Sequence, residues 1–566
     1  MKRVLFNKIH QDFSLKTHIP FGPWCFIGQE DQIDWEKHKF PKDAFSTKKD
    51  FQLAQDNVEI VIDFLFPKLC NYLNQENDQE KSPEFWRVMI MPWLSLFVQN
   101  VVSNYYRLLR FLDNQGENFI FECTNTNLPP FKKTIDFILN GIGSVDYNEW
   151  VYSEIIRKCF PKLKTDISPQ QRRHHYQEAE TRNNFKFKLK YFIKNLLAFK
   201  SVYGINFLDS IRFSFFVKKR KPNKTNEYIQ RQKTSSCFLP AMQWLSTSKE
   251  CLPKSFLNIH LFSTCSYTPN YRFQVLSGSL LYTEEEQKYQ LARYVEKGGT
   301  LVPCQHGSNY GILSTFLWIK QIEYSHLNYI SWGWEKHQGS KLNATALPSP
   351  LIWQFKNKHV RYKKNSDIIL VGTPTYPFYH FILSYKQPNK IIKYRQDKIS
   401  FLASLSSKNF KRLKYRDHPV GNLQLLKDKE YVQTKFPNIK MCEGDLHPQL
   451  GQAALVVSDN PGTTFFITMG ANVPTIGFWD PKDALFTEDA ETLFLHLKQQ
   501  KIVFDTPGDA TEHINQISDD IAGWWKNEKV QEARIAWCNK FARTSKNWKK
   551  EWKQAIKKLN EEILPL

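Results

Sequence analysis

The chain has 566 residues, 41% of them apolar and 15% aromatic, enough to bury the cores of two or three domains and to exclude a disordered or fibrous protein. Its 78 Lys and Arg against 56 Asp and Glu give a formal charge of +22, which favours an anionic partner: nucleic acid, an anionic membrane surface or a phosphorylated substrate. The ten cysteines stand singly with no CxxC pair, which speaks against a disulfide framework or structural zinc and for a reducing compartment.

In chain order, Pro20 to Phe26 (PFGPWCF) reads as a compact strand-like run and Phe119 to Cys123 (FIFEC) as a strand. Between them, Leu53 to Leu73 and Phe85 to Leu112 carry apolar residues at helical spacing. Ser82 and Pro83 form a start signal for the second helix, and Pro92 is expected to kink it. The N-terminal MKRVLFNKIHQDFS lacks an apolar h-region, and no uncharged apolar run approaches the ~20 residues of a bilayer span. The expected location is therefore the cytoplasm, with peripheral contact to the inner face of the cytoplasmic membrane as an option.

Residues 145–250 lose the strand-helix rhythm and carry RRHHYQEAETR and VKKRKPNK, so they are expected to form a largely helical insertion with mobile loops. Within them, Phe185 to Lys194 (FKFKLKYFIK) alternates like a strand with a solvated lysine face, and Asn195 to Lys200 reads as helix. Strand and helix then alternate: strand Phe256 to Leu261, helix Thr283 to Glu296, strand Thr300 to Cys304, helix Gly311 to Tyr324, strand Asn328 to Trp332. After a polar linker near Asn357 to Asn365 comes a second series: strand Asp367 to Val371, helix Lys393 to Ser406, strand Arg412 to Tyr415, helix Asn422 to Lys435, and the unit Ala454 to Asp480. Two βαβ blocks predict an α/β protein of two Rossmann-like lobes facing a cleft. The expected division is residues 1–360 for the first lobe with its insertion, 361–510 for the second, and 511–566 for helices packing back on both. The tail places Trp537, Phe541, Trp548, Trp552, Ile556 and Leu559 on one face among lysines, a packing stripe whose alternative is contact with anionic lipid.

Three polar clusters follow predicted strands, where α/β sheets bind ligands. In ALVVSDNPGTTFFITMGANVPTIGFWD, Asn460 suits an N-cap and Pro461 the first helical position. The amides of Gly462, Thr463 and Thr464 are then left for an anion such as a nucleotide phosphate, with the hydroxyls of Ser458, Thr463 and Thr464 beside them. The plainer alternative is an ordinary capped helix, with Asp459 repelling phosphate unless it points away. In PCQHGSNYG, His306 follows a strand directly in a glycine turn, which suits a general base for a hydroxyl; otherwise it caps the next helix. In YRDHPVGN, Arg416 and His418 offer donors to a phosphate. Glu323 is placed to orient a base or hold a ribose hydroxyl, or is a surface carboxylate. With no DxD pair, HExxH or Cys/His cluster, chemistry without a metal or cofactor is expected, and the lack of GxxxxGK[ST] argues against a P-loop nucleotidase.

FGPWCF (21–26), FWRVMIMPWL (85–94), QHGSNYG (305–311), SWGW (331–334), SDNPGTTFFITMGANVPTIGFWD (458–480) and the Trp524, Trp525 pair together resemble a bacterial family of surface-carbohydrate (O-antigen type) transferases of the GT-B superfamily. The order HG, HP, then a Ser/Thr-rich turn is also similar to CDP-glycerol glycerophosphotransferases and capsule Kdo transferases. The resemblance implies a GT-B fold and a glycosyltransferase. It implies a nucleotide-sugar donor as co-substrate and a glycan or lipid-linked glycan acceptor of O-antigen, lipopolysaccharide or capsule type. It further implies His306 as base, with Gln305, Gly307 and Tyr310 on the acceptor side of the cleft and Arg416, His418, Ser458, Thr463 and Thr464 around the donor phosphate. A CDP-polyol phosphotransferase is the rival within enzymes. A basic nucleic-acid-binding or glycan-binding protein is the rival outside them, with no nucleic-acid motif to support it.

Overall fold

The computed structural model describes residues 1–29, 35–38, 40–41, 44–45, 47–116, 118–128, 130–168, 197–219, 251–262, 268–314, 316–338, 340, 342–361, 366–373, 378, 382, 388–418 and 428–563. Three parallel sheets organise them. The first has the order β2-β1-β3-β4, with β1 Lys2–Leu5, β2 His18–Pro20, β3 Phe119–Cys123 and β4 Lys164–Ile167. The second runs in simple succession through β5 Phe199–Lys200, β6 Phe273–Ser277, β7 Thr300–Cys304, β8 Asn328–Ser331 and β9 Asn343–Ala346. The third takes β10 Ile368–Val371, β11 Leu413–Arg416, β12 Lys440–Met441, β13 Leu455–Ser458, β14 Thr475–Phe478 and β15 Val503–Phe504 in the order β12-β11-β10-β13-β14-β15. Renumbered from its own first strand, that order is 3-2-1-4-5-6, the arrangement of a dinucleotide-binding sheet. The α/β architecture with Rossmann-like lobes is therefore present.

The strand run Leu455–Ser458 is wholly buried, as a central parallel strand with helices on both faces must be. Val371 at the end of β10 pairs with Arg416 on one side and Ser458 on the other, so these three residues mark the carboxyl edge of the sheet. Between β10 and β13 the chain direction of winding reverses, and the crevice outside that pair is where such sheets take ligands.

The helix Lys48–Asn77 begins at a capping box made by Thr47 and Asp50, and Pro83–Gln115 begins at Ser82 with Pro83 in the first turn. The second helix continues through Pro92 for 33 residues. It contains an 18-residue window with a mean hydropathy of 1.3, as apolar as a membrane span, yet 94% of that window is buried within the protein. Its polar residues are satisfied there: Gln99 Nε2 donates to Ser95 O at 3.1 Å and Asn100 Nδ2 to Asn148 Oδ1 at 3.2 Å.

Some sequence expectations change. Pro20 closes β2, but Pro23–Phe26 is a 3-10 turn, with Trp24 Nε1 donating to Phe6 O at 3.0 Å. The run 256–261 forms two 3-10 turns, Lys254–Leu257 and Ile259–Phe262, because Asn77 reaches across to take their backbone groups: Asn77 Nδ2 donates to Phe256 O at 2.8 Å and Ile259 N to Asn77 Oδ1 at 3.0 Å. Phe199 and Lys200 form an edge strand rather than helix. Residues 185–194 and 419–427 lie outside the described residues. The helix expected from Gly311 starts only at Leu317 and ends at Ile322, since 307–314 is spent on a turn built around the site.

The tail ties the second and third sheets together. Helix Glu528–Phe541 sets Trp537 against Phe465 and Phe466 of helix Thr463–Ala471, with ring centroids 5.3 and 4.8 Å apart. The chain then crosses over, Arg543 N donating to Trp332 O at 2.9 Å. Helix Trp548–Glu562 lays Trp548, Trp552, Ile556 and Leu559 into the core of the second sheet with Phe199, Val275, Val302 and Ile330. The tryptophan stripe is therefore a packing face, and its alternative as a lipid contact is excluded by burial.

Candidate active site

His306 stands two residues beyond β7, and its imidazole, 20% exposed, meets a buried tyrosine–glutamate cluster. Tyr310 Oη lies 2.9 Å from His306 Nδ1 and donates to Glu323 Oε1 at 2.7 Å. Tyr282 also donates to Glu323 Oε1. When Tyr310 gives its proton to Glu323, its oxygen accepts from Nδ1–H and the lone pair of His306 stays on Nε2. That is the tautomer a general base needs.

Glu323 has no exposure at all, and Gly278 makes the room for it: a Cβ there would come within 2.0 Å of Glu323 Oε2. Burial raises its pKa to about 8, opposed by the tyrosine hydroxyls, and Oε2 has no hydrogen-bond partner. Burial also lowers His306 to about 4, so near neutral pH both groups are uncharged. Glu323 is fully buried and is linked to His306 through Tyr310. Tyr310 itself is 3% exposed and belongs to this relay rather than to an open acceptor surface.

Gln305 is likewise internal. Its Oε1 accepts from Trp332 N at 2.9 Å and Trp334 Nε1 at 3.0 Å, and its Nε2 donates to Gly307 O at 3.0 Å, so it clamps the histidine turn to the SWGW segment. Gly307 is needed where the second and third sheets' loops meet, since a Cβ would approach Thr463 Oγ1 to 3.0 Å. Next to it Ser308 N donates to Thr463 Oγ1 at 3.2 Å. The histidine turn thus touches the N-terminus of helix Thr463–Ala471 directly.

That helix is capped by Gly462 with no side-chain cap, its register shifted two residues beyond the Asn460 start expected from sequence. Asn460 instead closes a turn, its Oδ1 accepting from Gly462 N at 2.8 Å. The first intrahelical bond comes from Phe466 N to Gly462 O, so the amides of Thr463, Thr464 and Phe465 have no partner in the helix. Thr463 is exposed and Thr464 half-buried at the cleft. Asp459 does not oppose an anion there. It is turned into the β10–β13 crevice, accepting from Thr373 Oγ1 at 2.6 Å, from Thr373 N at 3.2 Å and from Tyr394 Oη.

Ser458 is buried and donates to Asn460 O at 2.7 Å, so its hydroxyl shapes the turn and is not available to a phosphate. Arg416 ends β11 two strands away and donates to Cys442 O and Gly444 O at 2.8 and 2.9 Å, holding the loop after β12. His418 is exposed at the end of the described part of its loop. The structure therefore brings together His306, Gly307, Tyr310, Glu323, Gly462, Thr463 and Thr464. Arg416 and His418 lie at and just beyond the end of β11, on the same carboxyl edge as Ser458 but two strands from it. Sequence reasoning missed Tyr282, Thr373 and Tyr394, whose only sequence signal is that each lies within a dozen residues of a predicted strand or helix end.

Outside the cleft, His10, His18 and Glu122 bring ligand-type atoms within 4.8 Å of one another. Arg3 Nε donates to Glu122 Oε1 at 2.6 Å, and Ser14 N donates to His18 Nδ1 at 3.3 Å, which puts the His18 proton on Nε2, facing the carboxylate. Glu122 is thus paired with Arg3, while neither ring nitrogen of His10 has a hydrogen-bond partner.

Among solved structures the chain is similar to α,α-trehalose 6-phosphate synthase from Burkholderia multivorans, at 7% identity and TM-score 0.31, covering 55% of this chain and 74% of that one. It is similar also to a variant of Thermobaculum terrenum O-GlcNAc transferase, at 10% identity and TM-score 0.25, covering 57% of this chain and 61% of that one. A third is WaaG, a glycosyltransferase involved in lipopolysaccharide biosynthesis, at 11% identity and TM-score 0.23, covering 58% and 86%. Likenesses this weak carry no argument about activity. No curated protein matches the chain in sequence. The family profile of the LIC12162 family transferases matches residues 3–556, nearly the whole length, and the chain belongs to that family of transferases.

Proposed function

We propose that the protein is a glycosyltransferase that moves a sugar from a nucleotide-activated donor to a hydroxyl of a cell-surface glycan precursor. The observation that carries this reading is the contact of the His306 turn with the uncapped helix N-terminus at Thr463, which sets a base and an anion cradle side by side across one cleft. The donor pyrophosphate rests on the amides of Thr463, Thr464 and Phe465, where preorganised dipoles stabilise the charge that grows on the leaving nucleotide. His306 Nε2 takes the proton of the acceptor hydroxyl as its oxygen bonds to the anomeric carbon. The bond from that carbon to the phosphate oxygen breaks, and the nucleotide leaves with the electron pair.

The test is a thermal-shift panel of CMP, CDP, UDP, GDP and dTDP and their sugar conjugates, followed by product analysis with the nucleotide that binds. A ligand at ~100 times its Kd adds about 2.7 kcal/mol, a readable shift. Thr463→Ala with Thr464→Ala should lose the shift. His306→Ala should keep it while kcat falls roughly 100-fold or more, the usual contribution of a general base. No stabilising nucleotide, or wild-type turnover in His306→Ala, sinks the reading. Release of a nucleoside monophosphate would instead indicate attack at phosphorus.

A further inference from the structure

Four of the eleven large apolar side chains exposed among the described residues lie within residues 203–215: Tyr203, Phe207, Leu208 and Phe215. Single exposed apolar residues are ordinary, but a cluster of them is a contact surface. The helix Phe207–Ser214 shows how the cluster arises. Its inward face carries Asp209, Ser210, Phe213 and Ser214, with Phe213 packed on Phe199 and Trp552. Leu208, half-buried Ile211 and Phe215, at positions i, i+3 and i+7, form a second apolar stripe on the outward face, where a solvent-facing helix carries polar residues. Leu208 is 64% and Phe215 82% exposed.

The border of the stripe is cationic. Arg212, Lys218 and Lys219 are exposed on the same segment, and the neighbouring helix Trp548–Glu562 adds Lys549, bound to Asp209 at 2.8 Å, and Lys553, which lies 4.5 Å over the Phe216 ring. Asp209, the carboxylate nearest the stripe, is buried beneath it and paired with Lys549 and Arg212. An apolar ridge set in a cationic border complements an anionic bilayer, whose headgroups attract the cations while its acyl boundary accepts the ridge. The inner end of the patch reaches the active cleft: the Tyr203 ring stacks on His306 with centroids 6.0 Å apart at 26°. Gly204 fixes this approach, because its φ of +79° and the 2.2 Å distance from a Cβ to Leu351 N leave room only for glycine.

We propose that Phe207, Leu208, Ile211 and Phe215, bordered by Arg212, Lys218, Lys219, Lys549 and Lys553, form a docking surface for an anionic lipid membrane that holds the His306 cleft at the lipid–water interface. Docking is independent of chemistry; only its consequence, delivery of a membrane-borne acceptor to His306, rests on the transferase reading.

The experiment is flotation of the full chain with vesicles of phosphatidylcholine alone and with 30% phosphatidylglycerol, at low and high salt, for the wild type and for Leu208→Ser with Phe215→Ser. Expected are binding to the anionic vesicles, weakening with salt, and at least tenfold weaker binding of the double variant. The variant should keep the wild-type melting temperature and nucleotide response, because both side chains are exposed. Equal binding of wild type and variant, or no binding to anionic vesicles, overturns the proposal. A variant that changes from dimer to monomer in light scattering with vesicle binding unchanged also overturns it, assigning the patch to a second copy of the chain. The nucleotide response, read on the same samples, reports on the transferase reading separately.

Discussion

Glu323 is the residue whose energetics differ most from those of an ordinary surface acid. An unfolded chain ionises it near the ordinary value of 4.5, whereas the folded pocket holds its proton up to about 8. Below pH 4.5 the side chain is protonated in both states and costs nothing. Between 4.5 and about 8 only the unfolded state releases the proton, so folding stability falls as pH rises through that window and levels off above it. At 1.36 kcal/mol per unit the loss is about 5 kcal/mol. Glu323→Gln keeps an acceptor for Tyr282 and Tyr310 but cannot ionise. Thermal melts from pH 5 to pH 9 should show the variant's Tm nearly flat where the wild type declines, even if an unpaired amide beside Gly278 lowers the whole curve by roughly 1–3 kcal/mol. An ionised Glu323 stabilises the imidazolium through Tyr310. Turnover should therefore rise with pH to a midpoint near 8 in the wild type, and Glu323→Gln should lose that limb of the profile with nucleotide binding intact.

At the scale of the element, the helix Thr463–Ala471 and the tail helix Trp548–Glu562 decide most. The first is held by Trp537 behind it and leaves its first amides towards the cleft. The second completes the core of the middle sheet, with Trp552 buried and its Nε1 donating to Pro348 O at 2.9 Å. Trp552→Ala removes a full indole from a closed core and strands that carbonyl, a change of the class that costs about 3–5 kcal/mol. Chemical denaturation should show that loss. Because Phe199 and Phe213 pack on the same ring, vesicle flotation should weaken with it, as the helix Phe207–Ser214 loses its footing.

At the scale of the molecule, the tail crosses from the third sheet to the second at Ala542–Asn547 and so limits how the cleft opens. The proposed transfer calls for closure that excludes water from the donor, and the crossing is where such closure would turn. Removal of residues 545–566 would expose Phe199, Phe213, Val302 and Ile330 together. Expression of that truncation should give an aggregated or partly unfolded chain, measured by gel filtration and near-ultraviolet circular dichroism, while a wild-type melting profile would show that the second sheet stands without it.

The sequence by itself determined the features whose cause is local. Buried runs such as Leu455–Val457 declare themselves as central strands because both faces are covered, and the turn after β13 and the histidine turn after β7 follow from Gly, Pro, Asn and Ser placed where the backbone bends. The α/β class, the His306 turn and the helix start near Thr463 were legible for that reason. Only the tertiary structure decided what depends on residues far apart in the chain. The first sheet was hidden because β1, β2 and β4 are short and partly polar, and because β1, at its centre, pairs with β3 more than a hundred residues away. Ser458, Gln305 and Arg416 looked like ligand contacts, since a polar residue beside a strand end reads the same whether its hydrogen bond goes to a substrate or to a neighbouring turn. Glu323 gained its role from burial against Gly278, Tyr282 and Tyr310, and Phe215 gained its own from lack of burial. Both are properties of packing, which a one-dimensional pattern does not contain.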